Sequence, residues 1–131
     1  MAPPGLTRMA SAFGPKETAD RLVAAISAKG LTIFARIDHA AGAEAIGMAL
    51  RPTEVLLFGN AKGGTPLMQA QQSAGIDLPL KALIWQNEAG QSFLSYNDPG
   101  WIAERHGIDA PDVVAALTNV LAGLAKAATQ A

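Results

Sequence analysis

The sequence predicts an α+β fold in which a sheet carries helices on one of its faces. Two segments with strand-like patterns, 81–86 and 91–96, flank the turn NEAG at 87–90 and predict an antiparallel hairpin. Helical patterns separate the remaining strand candidates. The chain has 131 residues, of which 50% are hydrophobic, and this is enough to form one continuous core. The local hairpin argues against a doubly wound parallel sheet, in which every strand is followed by a helix.

The first third of the chain predicts a helix followed by a strand. We expect residues 1–12 to form a flexible start or a short strand around 7–13. Pro15 is tolerated in the first turn of a helix, and Gly30 ends the helical spacing of apolar residues that follows it. Residues 31–38 then alternate with a period of two, which predicts a strand with one face on the core.

The middle of the chain predicts a short helix, a central strand and a further helix. The alanine-rich segment 40–50 has high helix propensity and ends before Pro52. The unbroken apolar run 55–58 predicts a strand that is buried on both faces in the middle of the sheet. Thr65 and Pro66 resemble an N-cap and a first-turn residue, so we expect the next helix to begin there, after a glycine loop.

The C-terminal third predicts two more helices. Asp98 and Pro99 open the first of them, and Gly107 ends it. The second is capped near Asp109, has Pro111 in its first turn and presents one apolar face. These helices follow the hairpin, as expected for helices grouped on one face of an α+β sheet.

The composition excludes several classes of function. Ten basic residues against eleven acidic ones leave no net positive charge, so we expect no nucleic-acid partner. The chain has no cysteine, which excludes disulfides, thiolate metal sites and cysteine nucleophiles. Its two histidines stand at unrelated positions, and we expect neither a metal site nor a cofactor. Without a signal-peptide run or about 18 uninterrupted apolar residues, we expect a cytoplasmic protein that does not span a membrane.

A glycine-rich segment is the strongest local signal for a binding site. The run FGNAKGGTP at 58–66 places Asn60 and Lys62 beside the expected helix start at Thr65. Unpaired amides, the helix dipole and an ammonium group would attract an anion there. The run differs from a phosphate-binding P-loop, in which serine or threonine directly follows the lysine. The alternative is that the glycines only form a turn and Thr65 only caps the helix.

Asp38 and His39 close the strand that precedes the short helix. In extended backbone their side chains point to opposite faces, so they pair as an acid–base dyad only if the backbone turns between them. Asp38 can instead cap the helix that follows. His39 has the chemistry for proton transfer near neutral pH, and the alternative is a hydrogen-bonded histidine at a strand end. His106, next to Gly107, is explained by a charge–dipole interaction at a helix C-terminus.

Six short motifs occur in order along most of the chain, from about residue 13 to residue 107. They are RIDH at 36–39, LRPTE at 50–54, FGN at 58–60, GTPLM at 64–68, IDLPLK at 76–81 and SYNDP at 95–99. Together they resemble the domain-of-unknown-function family 302. The resemblance implies a curved, mainly antiparallel sheet backed by helices, similar to one half of the TATA-binding protein, and a tendency to form homodimers. It does not imply DNA binding, because a fold alone does not determine function.

The resemblance also divides the chain. Residues 13–107 correspond to the family's domain, and residues 108–131 form a C-terminal helical extension beyond the shared motifs, available for packing or dimerisation. Where the family has Asn-Pro-Lys after the strand, this chain has Asn60-Ala61-Lys62. The loop is therefore expected to be looser while it keeps its charge.

We therefore expect a homodimer that binds a small ligand or anion at the ends of the central strands. The five residues expected to line this site are Asp38, His39, Asn60, Lys62 and Thr65. The first two would orient or protonate the ligand, the amide would hydrogen-bond it, and the lysine with the helix start would supply positive potential.

Two alternatives from other classes of protein stay open. The first is an enzyme that uses His39 as a general acid or base, with Asp98 or Tyr96 nearby. The second is a structural or protein-interaction module, which would have no pocket and a sizeable apolar patch.

Overall fold

Five antiparallel strands form one open sheet in the order β1-β5-β4-β3-β2. The computed structural model describes residues 3–131, so Met1 and Ala2 of the predicted flexible start lie outside it. The strands are β1 (Leu6–Ala10), β2 (Thr32–Asp38), β3 (Thr53–Gly59), β4 (Leu80–Gln86) and β5 (Ser92–Asn97). The helices are α1 (Pro15–Ala28), α2 (His39–Ala45), α3 (Ala61–Ala70), α4 (Pro99–Arg105) and α5 (Pro111–Thr129), with a 3₁₀-helix at Gln72–Ile76. The predicted α+β fold, including the hairpin of β4 and β5, is confirmed.

Helices α1 and α5 pack against each other and against one face of the sheet. Leu22 of α1, Leu56 of β3 and Leu124 of α5 belong to one hydrophobic cluster, and each is at most 1% exposed. Burying a side chain of this size contributes about 1.5–3 kcal/mol. Helix α5 thus shares its core with the rest of the domain, while the division at residue 107 stays a prediction.

Among residues 3–131, no helix packs on the opposite face of the sheet. Leu56 and Phe58 of β3 are fully buried, whereas Leu57 between them points to the open face and is half-buried. On the edge strand β2, Phe34 is 56% exposed and Ile37 44%. The prediction that the central strand is buried on both faces is therefore wrong. A run of four apolar residues shows that a strand is apolar on both sides, but not that a second layer covers it.

Trp85 covers part of this open face. Its neighbours in β4 alternate between the two faces, and Ala82 and Ile84 point into the core. The Trp85 ring stacks on Phe93 of β5, with 4.8 Å between the ring centroids. Its Nε1 donates a hydrogen bond to Ser95 Oγ at 3.0 Å. Strands β4 and β5 are thereby joined on the open face as well as in the core.

Helix α2 ends earlier than the predicted segment 40–50. Its last residue is Ala45, and Gly47 follows with a φ of 73°, a conformation that glycine adopts without strain. The amide of Gly47 donates to the Glu44 carbonyl at 3.0 Å, and that of Met48 donates to the Ala43 carbonyl at 2.9 Å. This pair of bonds is the Schellman arrangement that ends helices.

The predicted starts of the last two helices differ in detail from the structure. Asp98 stands at the N-cap position of α4, but its Oδ1 accepts a hydrogen bond from Thr7 Oγ1 instead of from the helix. Ala110, not Asp109, is the N-cap residue of α5 and makes no side-chain capping bond. Strand β1, predicted around residues 7–13, lies at Leu6–Ala10.

Helix α5 has a length and an apolar composition sufficient to cross a membrane, a property that core helices of globular proteins share. One side of the helix is buried within the domain. The buried residues of α5 are Leu117, Leu121, Leu124, Ala125, Ala128 and Thr129.

Candidate functional site

The five predicted site residues are not brought together. Strands β2 and β3 are antiparallel, with Asp38 opposite Glu54 and Thr32 opposite Gly59. Asn60 follows Gly59, so it lies at the Thr32 end of the pair. The six residue steps along β2 separate the two ends by about 20 Å. Asp38 and His39 therefore belong to one end of the sheet and Asn60, Lys62 and Thr65 to the other, and the prediction of one shared site is wrong.

Asp38 has a structural task at its end of the sheet. Its Oδ1 accepts a hydrogen bond from the Ala41 amide at 2.9 Å and so caps helix α2. His39, the first residue of α2, is exposed, and its side chain has no hydrogen-bond partner among residues 3–131. The expectation that the Asp38 side chain can serve as a cap is confirmed.

The partners considered for a catalytic His39 are distant from it. Tyr96 lies level with Arg36 in the sheet register, but three strand spacings away, or about 14 Å. Its ring belongs to the core cluster, and burial raises the pKa of its hydroxyl, with the Asp98 charge adding to the increase and a hydrogen bond with Thr7 opposing it. Neither Tyr96 nor Asp98 is placed to exchange a proton with His39.

At the other end of the sheet, helix α3 begins four residues before the predicted cap. Asn60 is the N-cap residue, and its Oδ1 accepts a hydrogen bond from the Gly63 amide at 2.7 Å. The predicted glycine loop is thus the first turn of the helix, and Pro66 lies inside the helix. Thr65 is an exposed residue of the second turn, so its predicted capping role is wrong.

The start of α3 borders a cavity of about 780 Å³. The cavity lies between the end of β3, the first turn of α3, the segment that leads into β4, and one side of α5. Most of its surface is apolar. The apolar residues that line it include Phe34, Leu57, Met68, Leu78, Leu117 and Val120.

Polar groups of this cavity concentrate at the first turn of α3. Asn60 and Lys62 both line it, together with Gly63 and Gly64. Within the described part of the chain, Lys62 makes no ion pair and the amides of Ala61 and Lys62 have no acceptor. An ammonium group and a helix N-terminus therefore stand beside an apolar chamber.

Comparison with known proteins identifies the family of this fold. The family model described as "Domain of unknown function DUF302" matches residues 7–124. The chain belongs to the DUF302 family. The match begins in β1 and ends within α5, so it includes both ends of the sheet and the cavity.

A solved DUF302 structure has the same fold. The crystal structure of an uncharacterized conserved DUF302 protein from Bacillus stearothermophilus superposes with a TM-score of 0.83, covering 96% of this chain and 99% of that one. The two sequences are 16% identical, so the likeness concerns the fold alone.

The curated relatives are longer proteins. Fluoride-specific ion channel FluC 1 of Brucella suis biovar 1 is 41% identical over 111 residues, which are 85% of this chain and 44% of the relative. FluC 1 of Brucella abortus biovar 1 is 41% identical over 111 residues, 41% of its length. This DUF302 chain thus spans less than half the length of the relatives it matches.

A second cleft of the DUF302 domain, of about 1070 Å³, lies at the Asp38 end of the sheet. Its central cation is Arg36, which contacts Glu54 at 2.8 and 3.1 Å and Asp20 at 3.6 Å. The hydrogen bond with Glu54 raises the pKa of Arg36, and a hydrogen bond from Lys16 lowers the pKa of Asp20. Arg36 and Glu54 thus neutralise each other, whereas Arg51 and Glu44, which also line this cleft, make no ion pair among residues 3–131.

Sequence reasoning identified the polar rim of the cavity but not its walls. The sequence indicates only that Leu117 and Val120 belong to the apolar face of α5 and that Leu57 belongs to a central strand. Phe34 carried no functional signal at all. Local patterns show that a residue is apolar, whereas the cavity arises from the relative placement of four elements.

Proposed function

We propose that this DUF302 protein binds a small amphiphilic anion in the cavity at the start of α3. The observation that carries the proposal is the combination of a largely apolar chamber with Lys62 and free helix amides at its rim. Ligand pockets commonly have volumes of about 300–1,000 Å³, apolar walls and a few polar groups that orient the ligand. The structural module considered above would have lacked such a pocket.

Each half of the ligand has a separate physical role. Its apolar part would gain about 25 cal/mol for each Å² removed from water against Leu57, Leu117 and Val120. Its carboxylate or phosphate would be held near Lys62 and the amides of the first turn of α3. Binding therefore requires both the charge and the apolar tail.

The experiment is a calorimetric titration with decanoate, compared with decanol and with inorganic phosphate. We expect decanoate to bind, decanol to bind more weakly because it lacks the charge, and phosphate to bind more weakly because it lacks the tail. Lys62→Gln should weaken decanoate binding by a factor of about 2 to 5, as expected for one exposed charge pair. Lys126→Gln, on the exposed side of α5, is the matched control and should leave the affinity unchanged.

Two outcomes would contradict this proposal. Equal affinity for decanoate and decanol would remove the role of the charge. Decanoate binding that is unaffected by Leu57→Asn would show that the tail does not lie in the cavity.

Fluoride is a second candidate ligand, because the matched relatives are named fluoride-specific ion channels. The amides of Ala61 and Lys62 are the donors that a small anion would use. Sodium fluoride and sodium chloride are added to the same titration series. A response to fluoride alone, lost in Lys62→Gln and absent with decanoate, would favour fluoride over the amphiphile.

We also propose that the protein is a homodimer that pairs through the open face of the sheet. Phe34 and Ile37 are among its exposed large hydrophobic residues, and apolar surfaces of this kind mark protein interfaces. Light scattering coupled to gel filtration should show a dimer for the wild type and a monomer for Ile37→Lys. Ile46→Lys, at an exposed residue after α2, is the control and should remain a dimer. A monomeric wild type would contradict the proposal.

A further inference from the structure

A hydrogen-bonded cluster of serine, histidine and aspartate lies beside the cavity, and none of its three members lines it. Ser73 belongs to the 3₁₀-helix, Asp77 follows that helix, and His106 follows α4. Ser73 Oγ lies 2.7 Å from His106 Nδ1, and Asp77 Oδ2 lies 2.6 Å from His106 Nε2. The fold thus brings a nucleophile, a base and an orienting carboxylate into one chain of hydrogen bonds.

The proton positions in this chain follow from the acceptor character of the carboxylate. Asp77 only accepts hydrogen bonds, so His106 Nε2 carries the hydrogen that faces it. In the neutral imidazole, Nδ1 then presents its lone pair to Ser73, whose hydroxyl donates to it. A serine hydroxyl that donates to an imidazole held by a carboxylate is the arrangement that activates serine nucleophiles.

Burial separates the roles of the three residues. The side chains of His106 and Asp77 are 8% and 12% exposed, so their orientation is held by the protein. Ser73 is exposed, and a reagent can reach it from solvent. Arg105 Nη1 contacts both carboxylate oxygens of Asp77, at 2.9 and 3.0 Å, and holds the carboxylate in place. It also offsets part of the Asp77 charge.

We propose that Ser73 is an activated nucleophile that accepts an acyl group from small activated esters. Ser73 Oγ forms a bond to the ester carbonyl carbon while its proton passes to His106 Nδ1. The carbon–oxygen bond of the leaving alcohol then breaks, and that oxygen takes the proton from Nδ1. Water later releases the acyl group as a carboxylic acid by the same proton route, which regenerates Ser73. Because Arg105 offsets the Asp77 charge, the reaction is slow.

The test measures labelling by a fluorophosphonate probe, which phosphonylates activated serines. It also measures hydrolysis of p-nitrophenyl acetate, which serves as the ester. Mass spectrometry of the labelled, full-length protein locates and counts the modified serines. We expect the label on Ser73, no label there in Ser73→Ala, and labelling at least about tenfold slower in His106→Gln and Asp77→Asn. Ser27→Ala is the matched control, because Ser27 is also exposed and its side chain has no histidine partner among residues 3–131.

A pH profile distinguishes activation from a structural tie between the 3₁₀-helix and α4. The labelling rate of the wild type should rise with pH, because only neutral imidazole accepts the serine proton, and the rate of His106→Gln should stay flat. Circular dichroism of each variant checks the fold, and the exposed Ser73→Ala supplies the decisive comparison if a buried variant unfolds. Labelling of Ser73 no faster than that of Ser27 in the wild type would overturn the proposal.

Discussion

The Asn60 side chain accepts a hydrogen bond from the Gly63 amide, with 2.7 Å between Oδ1 and N, and helix α3 consequently starts at Ala61. We predict that Asn60→Ala destabilises the protein by about 1 kcal/mol, because the helix loses its side-chain cap. Thr65→Ala should change the stability by less than about 0.5 kcal/mol, as is usual for exposed positions. Urea denaturation measures both values. A larger loss of stability for Thr65→Ala than for Asn60→Ala would instead indicate that Thr65 caps the helix.

The Schellman arrangement after α2 predicts that alanine substitutions at two nearby glycines have opposite effects on stability. Gly47 has a φ of 73°, so Gly47→Ala should destabilise the protein by about 1–2 kcal/mol. Gly42 lies inside the same helix, and a methyl group there would meet nothing within 4 Å. Gly42→Ala should therefore stabilise the protein by about 0.5–1 kcal/mol. Thermal unfolding of both variants gives the sign of each change in stability. Two changes of the same sign would contradict the early end of α2.

The buried stripe of α5 should be essential to stability. Leu124 is 1% exposed, so Leu124→Ala removes a core side chain and should cost about 2–5 kcal/mol. Leu50 is 50% exposed, and the same truncation there should cost less than about 0.5 kcal/mol. The two urea midpoints provide the comparison. Similar midpoints would show that α5 does not belong to the core.

Tyr96 is the only tyrosine of the chain, so its ionisation can be followed by ultraviolet absorbance. Burial raises the pKa of its hydroxyl in the folded protein, whereas the unfolded chain should titrate near the ordinary value of about 10. A pKa that is raised by folding contributes stability below about pH 10, and this stability is lost as the pH rises through the folded pKa. Identical titration curves in buffer and in urea would show that the ring is not buried.

The success of sequence reasoning depended on how local each feature is. The β4–β5 hairpin was predicted because its turn lies between the two strands in the sequence. The early end of α2 also had a local signal, Gly47, but the high helix propensity of the alanine-rich segment outweighed it in the prediction. The glycines indicate a loop and so predict the start of α3 at Thr65, although Asn60 is an equally good N-cap residue.

The site was predicted less well, because it depends on the pairing of distant segments. Asp38 ends β2 and Asn60 follows β3, and only the antiparallel register of the two strands shows that these residues lie at opposite ends of the sheet. The contact between Ser73 and His106 joins residues 33 positions apart. Periodicity and motif spacing describe neighbours along the chain, so neither relationship could be read from them.

Trp85 gives the protein its own optical reporter. The ring lies on the open face of the sheet, where it is half-buried and stacked on Phe93. The other tryptophan, Trp101, packs against Gly5 near the C-terminal end of β5. A molecule that covers the open face would remove water from the Trp85 ring and shift its emission to shorter wavelengths. In a Trp101→Phe background, the intrinsic fluorescence would therefore follow the occupation of this face without an attached dye.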